Sequence, residues 1–576
     1  MSYFDWAVLV ITLACIIFYG IYKSRTTHNL DGYFLSNREM PWYMVLFSVM
    51  GTQASAITFL SAPGQAYTDG MRFVQYYFGL PLAMIVICIA FVPIFHNAKF
   101  YTAYEFLEKR FDLKTRTFTS FLFLLQRGIS TGISIYAPSI ILSSLLDWNI
   151  YWTNIFMGGL LIIYTAFGGA KSVAYTQQLQ IVIIFASMFI AGYLVVKYLP
   201  EGVGFFDALK VGGVMGRTNV ITTGFKADGG FDWRDKYNLL SGIIGGFFLA
   251  LSYFGTDQSQ VGRYLTARSL RESRIGLLMN GLVKVPMQFM ILLLGVLIFA
   301  FYQYNNAPLF FNQTQVNKVQ DSRYADSLQS VQQAYNHADE QKKELMQSLI
   351  AQKNEISATD RVRLLDINHQ RDSLRVVFKS ILDKPEVGGD SNDANYIFLR
   401  FVLDYLPKGL IGLLIAVIFI SSWGSIAAAL NSLASTTIVD IHKKFVNRNM
   451  DEKSDYTVSR WYTVLWGIFC IIVAQFAYNL GNSLIEAVNI LGSLFYGVIL
   501  GVFLVAFFAK QVKGTAVFLS AILGEGVVIA LFMLNEHNII DLGFLWLNAV
   551  GAIVVFALGW LIQLTFLNRK SALSGI

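Results

Sequence analysis

Thirteen apolar stretches, each long enough to cross a bilayer, recur along this 576-residue chain. An α-helix rises 1.5 Å per residue, so about 20 apolar residues span a hydrocarbon core of about 30 Å. Lipid offers no partner to backbone N–H and C=O groups, so such stretches must be helices. They centre on 4–22, 43–67, 73–95, 118–146, 150–168, 175–198, 237–261, 275–303, 407–438, 458–479, 483–509, 514–534 and 542–566. Only 14% of residues are charged, against about a quarter in soluble proteins. The expected fold class is therefore an all-α polytopic membrane protein without a soluble catalytic domain of ordinary size. The first stretch lacks a basic leader and a small-residue cleavage site, and reads as a retained helix.

Lys and Arg set the expected orientation. They gather in alternate loops: Lys23, Arg25 and Arg38; Lys99, Lys109, Arg110, Lys114 and Arg116; Lys171; Arg263, Arg268, Arg271 and Arg274; Lys443, Lys444, Arg448 and Lys453; Lys510 and Lys513; Arg569 and Lys570. These loops are assigned to the cytoplasm. The N-terminus is then outside, the C-terminus cytoplasmic, and the compartment a plasma membrane of the bacterial inner-membrane kind. The net charge of +7 is dispersed over short loops and does not indicate nucleic-acid binding. Cys15, Cys88 and Cys470 all fall in spans and have neither disulfide nor metal spacing.

Residues 305–395 interrupt the pattern with 13 of the 37 acidic residues. Tyr324, Leu328, Val331, Tyr335, Ala338, Lys342, Leu345 and Leu349 follow a 4-3 spacing, as do Leu364, Ile367, Arg371, Leu374, Phe378 and Ile381. This predicts two amphipathic helices with a turn near 351–360, an antiparallel hairpin outside the membrane. Two readings stand: a module that docks a partner or captures solute, or a solvated insert packed on the outer loops. The chain thus divides into a transmembrane core (1–304, spans 1–8), the insertion (305–395), and the rest of the core (396–576, spans 9–13). Spans 2–6 and 7–11 are two sets of five helices. An odd number makes the second set enter from the opposite side, the arithmetic of an inverted repeat.

Span 2 carries small and polar residues at its centre: Gly51, Thr52, Gln53, Ser55 and Thr58. Such a stretch belongs beside a cavity or in tight helix packing, not against lipid. In span 9, Ser421, Gly424, Ser425, Ala428 and Ser432 share one face, open to the same two readings. Ionisable residues inside spans cost about 2.5–3.5 kcal/mol or more at the bilayer centre and are candidates for function. Arg127 in span 4 and Lys284 in span 8 are the foremost. Asp257, Gln258, Gln75, Tyr76 and Tyr77 are further cavity candidates. All six histidines lie in loops or at span ends, and there is no His-Glu-x-x-His, Gly-x-Ser-x-Gly or P-loop. An enzyme is not expected, and active transport would draw on an ion gradient.

Several of these stretches resemble the sodium/solute symporter family, best its iodide/multivitamin/monocarboxylate branch. The similar segments are Ser55 to Pro63 with Ala66-Tyr67, Tyr104 to Phe111, Thr131 to Pro138, Tyr164 to Gly169, Asp257 to Leu265, and Ser435 to Ile441. The resemblance covers about residues 4–510, with 305–395 as an insertion. It implies a LeuT-type 5+5 inverted repeat working by alternating access, with Na+ as coupling ion and a small-molecule solute as cargo. By that resemblance the sodium site maps to the carbonyls of Gly51, Ala54 and Ser421 and to positions Gly424 and Ser425. The chain departs from the family in two places. The family has two adjacent hydroxyl residues at 424–425, and Trp-Thr-Asp where this chain has Tyr175-Thr176-Gln177. Of the galactose carrier's sugar ligands, this chain has Thr58, Tyr77 and Ala250 in place of Gln, Glu and Asn, but keeps Lys284 and the gating tyrosine, Tyr253. The substrate set implied is Thr58, Tyr77, Arg127, Tyr253, Asp257 and Lys284. With two cations and no counter-acid evident, a carboxylate or sugar acid is the expected solute. The alternatives are a membrane-embedded solute sensor and a proton-coupled or uncoupled transporter of the same fold. The protein partner of the insertion is unassigned; lipid is the surrounding medium.

Overall fold

The computed structural model describes residues 1–24, 35–98, 100–146, 148–226, 228–352, 356–448, 451–477 and 483–567. Arg25, Lys99, Arg569 and Lys570 of the orientation pattern lie outside the described residues, as do the side chains of Lys23, Lys171 and Lys453 and part of the turn near 351–360. In chain order the main elements are α1 (Tyr3–Ser24), α2 (Trp42–Gln53), α3 (Ala56–Asp69), α4 (Met71–Asn97) and α5 (Leu113–Leu146). They continue with α6 (Ile150–Ala166), α7 (Val173–Lys197), α8 (Gly246–Gly255), α9 (Gln258–Tyr264) and α10 (Leu270–Tyr304). The last are α11 (Ala325–Ala351), α12 (Ala358–Leu382), α13 (Leu410–Thr436), α14 (Glu452–Ala474), α15 (Leu484–Phe508), α16 (Gly514–Glu536) and α17 (Phe544–Ile562). Among the described residues there is no strand beyond two isolated bridges.

Among the described residues, ten helices are long and apolar enough to cross a membrane, or eleven with the bent pair α2–α3 counted as one. The remaining two of the expected thirteen, spans 5 and 7, carry the shorter apolar helices Ile150–Ala166 and Ser241–Gly255. Helical backbone runs through Ile150–Lys197, yet Tyr164 Oη and Thr176 Oγ1 are 3.2 Å apart. Twelve residues of straight helix would separate them by about 18 Å. The chain therefore bends back sharply, and α6 and α7 are neighbours.

Both sets of five helices open on an interrupted helix. α2 and α3 meet at 61° across Ala54 and Ser55. Ala54 leaves helical geometry at φ −80°, ψ 71°. The Ser55 amide turns to the Gln53 carbonyl and the Thr58 amide to that of Ser55. No backbone amide among the described residues donates to the carbonyls of Gly51 or Ala54. In the second set, α8 ends at Gly255, and Asp257 restarts the helix by accepting from the Ser259 amide at 2.8 Å. A break leaves backbone groups unpaired, which is why both breaks face the protein interior rather than lipid.

The insertion is the predicted helix pair. On α11, Leu328, Val331, Tyr335, Ala338, Lys342, Leu345 and Leu349 are buried; Tyr324, just before it, is only partly so. On α12, Leu364, Ile367, Arg371, Phe378 and Ile381 are buried, and Leu374 partly. The two charged residues in this seam are paired: Asp339 takes Lys342 at 2.6 Å and Arg371 at 3.0 Å. Lys342 Nζ also donates to the carbonyls of Tyr302 (2.7 Å) and Asn305 (3.1 Å), satisfying the C-terminal end of α10. The segment leaving the hairpin lies on α3 so closely that a Cβ at Gly64 would stand 1.8 Å from the Ala394 carbonyl oxygen.

Candidate functional site

A cavity of about 150 Å³ lies at the break in α2–α3. Its walls come from α2, α3, α4, α5, α8, α10, α13 and α15, and they include Thr52, Thr58, Tyr77, Arg127, Tyr253, Lys284 and Ser425. Five of the six expected substrate residues thus share one space, and the sixth, Asp257, lies directly behind it. Ser425, one of the expected ion ligands, lines the same cavity.

The two cations of this cavity stand in different electrostatic circumstances. Arg127 is buried and forms an ion pair with Asp257. It also donates to Ser259 Oγ at 2.6 Å, and its guanidinium stacks 5.3 Å from the Tyr253 ring. Asp257 accepts further from Tyr496 Oη at 3.0 Å and Ser259 Oγ at 2.7 Å. The expectation that neither cation has a counter-acid is corrected here: Asp257 is the counter-acid of Arg127, held for it by the helix break. Lys284 differs. It is 1% exposed, its Nζ is 5.6 Å from the centre of the Tyr77 ring, and no carboxylate among the described residues pairs with it. A buried ammonium without a carboxylate is costly unless something else meets its charge.

Two of the other candidates fall away from the cavity. Gln75 Nε2 donates to Thr222 Oγ1 (2.9 Å) and the Tyr237 carbonyl (2.8 Å), pinning a loop. Gln258 joins the Tyr101 carbonyl and the Ala103 amide. Residues that sequence reasoning missed include Asn489, whose Oδ1 accepts from Tyr76 Oη at 3.1 Å, and Tyr496. Both lie in an apolar span, where a lone Asn or Tyr carries little signal. Ser130 and Ser134 also line the space, and their spacing with Arg127 on one face of α5 was a usable clue.

At the expected ion position, helices α2 and α13 approach each other with Gln177 of α7 between them. Ser48 Oγ donates to Gln177 Oε1 at 2.9 Å. Gln177 Nε2 donates to Thr52 Oγ1 and to the Gly424 carbonyl, both at 3.3 Å. Ser425 Oγ donates back to the Ser422 carbonyl at 3.0 Å, as a hydroxyl in a helix commonly does. The oxygens present are neutral carbonyls and hydroxyls, the donor class that a hard monovalent cation takes.

The sodium:solute symporter family model matches residues 33–325 and 378–524. The chain belongs to this family. The unmatched interval falls on the α11–α12 hairpin, which is an insertion relative to the family pattern. The sodium/sialic acid symporter NanT of Aliivibrio fischeri is 24% identical over 99% of this chain and 94% of its own length. The human sodium/iodide cotransporter is 23% identical over 88% of this chain and 65% of its own. A solved Na+-coupled sialic acid symporter, in a substrate-bound outward-open state, superposes with a TM-score of 0.73 at 20% identity, covering 98% of each chain; that likeness is one of fold. The protein is accordingly a multi-pass, sodium-coupled symporter of a small organic solute. Its family and relatives are transporters rather than enzymes.

Proposed function

We propose that this symporter imports a small carboxylated solute, a sugar acid or monocarboxylate, by alternating access. The observation that carries the reading is the contrast between the two cavity cations. Arg127 is already neutralised by Asp257, whereas Lys284 lines the cavity beside the Tyr77 ring with no carboxylate paired to it among the described residues. A carboxylate on Lys284 supplies the missing charge, and Thr58, Tyr77 and Tyr253 are the groups that would contact the rest of the solute. The sialic acid symporters among the relatives handle a substrate of this class by their names. Sodium is assigned to the carbonyls of Gly51, Ala54, Ser421 and Gly424 and the Ser425 hydroxyl. The lysine and arginine pattern favours an external N-terminus, a cytoplasmic C-terminus and an external hairpin in a bacterial inner membrane.

The test is uptake into proteoliposomes with a sodium gradient, across a panel of monocarboxylates, sugar acids and neutral sugars. Carboxylate uptake that needs sodium is the expected result. Lys284→Gln should abolish it while leaving the sodium-dependent thermal shift of the purified protein intact. Neutral sugars transported in preference to carboxylates, or full carboxylate uptake by Lys284→Gln, would refute the assignment.

A further inference from the structure

The sodium assignment above leaves one side chain unexplained. Gln177 is fully buried, and its amide lies between the two helices that the ion is expected to join. Its nitrogen donates to Thr52 Oγ1 on α2 and to the Gly424 carbonyl on α13, the latter an oxygen assigned to the cation. Its own oxygen is held by Ser48, so the hydrogen-bond pattern fixes the nitrogen toward the gap.

The backbone on both sides is shaped to this amide. A Cβ at Gly51 would lie 2.8 Å from Gln177 Cβ and Cγ. A Cβ at Gly424 would lie 3.3 Å from Gln177 Cγ and 2.7 Å from Gln180 Oε1. Gly424, the position that lacks a hydroxyl, and Gln177, the position that lacks a carboxylate, therefore form one arrangement: the space of one missing side chain is filled by the other. Gln180, one turn along α7, is 3% exposed, and neither of its amide atoms has a hydrogen-bond partner among the described residues. A polar group with spare capacity thus stands next to Gln177, against the same glycine.

We propose that the Gln177 amide is a built-in stand-in for sodium: its N–H groups tie α2 to α13 in the ion-free protein, and sodium binds only by displacing them. This rests on the sodium-coupled reading and deepens it. The tie gives the empty carrier a closed contact that a carboxylate at 177 could not give, because a carboxylate has no N–H to donate to Gly424. It also sets the sodium requirement high, since each ion must compete for the Gly424 carbonyl with a hydrogen bond already made.

The experiment is thermal melting of the purified full-length protein, titrated with NaCl against KCl, for the unsubstituted chain, Gln177→Ala and Gln177→Asn. Both substitutions withdraw the amide from Gly424; the second shortens it by one carbon and is milder on packing. Expected are a lower melting temperature in potassium and a sodium concentration for half-maximal stabilisation reduced by about fivefold, the size of one net hydrogen bond. A half-maximal concentration that rises would mean Gln177 contributes an oxygen ligand; one that stays the same would mean it does not meet the ion. Either overturns the proposal. Should Gln177→Ala fail to fold, Gln177→Asn decides. Sodium-independent solute uptake by the unsubstituted protein would instead sink the underlying symport reading, whatever the variants do.

Discussion

At the residue scale, the ion pair inside the cavity wall is the group with the clearest energetic consequence. Burying one charge without its partner costs several kcal/mol, whereas removing both is mild. Asp257→Asn leaves Arg127 buried with only Ser259 and the Tyr253 ring. It should destabilise the protein by about 3 kcal/mol, and Arg127→Met combined with Asp257→Leu should recover most of that loss. Melting temperatures of the three variants check it; equal losses for the single and double variants would contradict a structural pair. The sequence named Arg127 and Asp257 separately but gave no sign that they meet, because 130 positions separate them. Lys284 was legible as a cavity residue for a simpler reason: an ionised group within a span has few tolerable places.

Element-scale behaviour follows from where helices stop. The α2–α3 break could be read from a run of small polar residues, and the hairpin from its 4-3 spacing. Hydropathy marked spans 5 and 7 by composition, but it gave no sign of the bend that follows the first or of the break at Thr256 inside the second. Two predictions belong here. Gly64→Ala puts a methyl into the Ala394 carbonyl, rigid backbone on rigid backbone. It should cost about 1–3 kcal/mol and lower the melting temperature accordingly, while Gly159→Ala, which meets nothing within 4 Å, serves as the control. In the segment leaving the hairpin, burial pushes the Asp390 carboxyl up from 3.8 to about 6, and Asp393 adds to it. The folded state then binds this proton more tightly than the unfolded one. Its contribution is present below about pH 4 and lost as pH rises through about 6. Hydrogen exchange across 383–396 should show protection falling over that window, and Asp390→Asn should flatten the change.

For the whole molecule, the cavity between the two interrupted helices has a charge of its own. With Arg127 and Asp257 cancelling, Lys284 leaves the empty carrier at one positive charge. A carboxylate and a single sodium add nothing net, so the loaded carrier returns to the same value. Membrane voltage, worth about 2.3 kcal/mol per charge per 100 mV, then has no purchase on the complete cycle. Concentration of the solute would rest on the sodium gradient alone. Recordings on a supported membrane should show a brief displacement current on adding carboxylate and no sustained one. A sustained inward current would count a second sodium per turnover. A carboxylate cargo that follows each sodium thus leaves such a cell unable to use its electrical potential to feed.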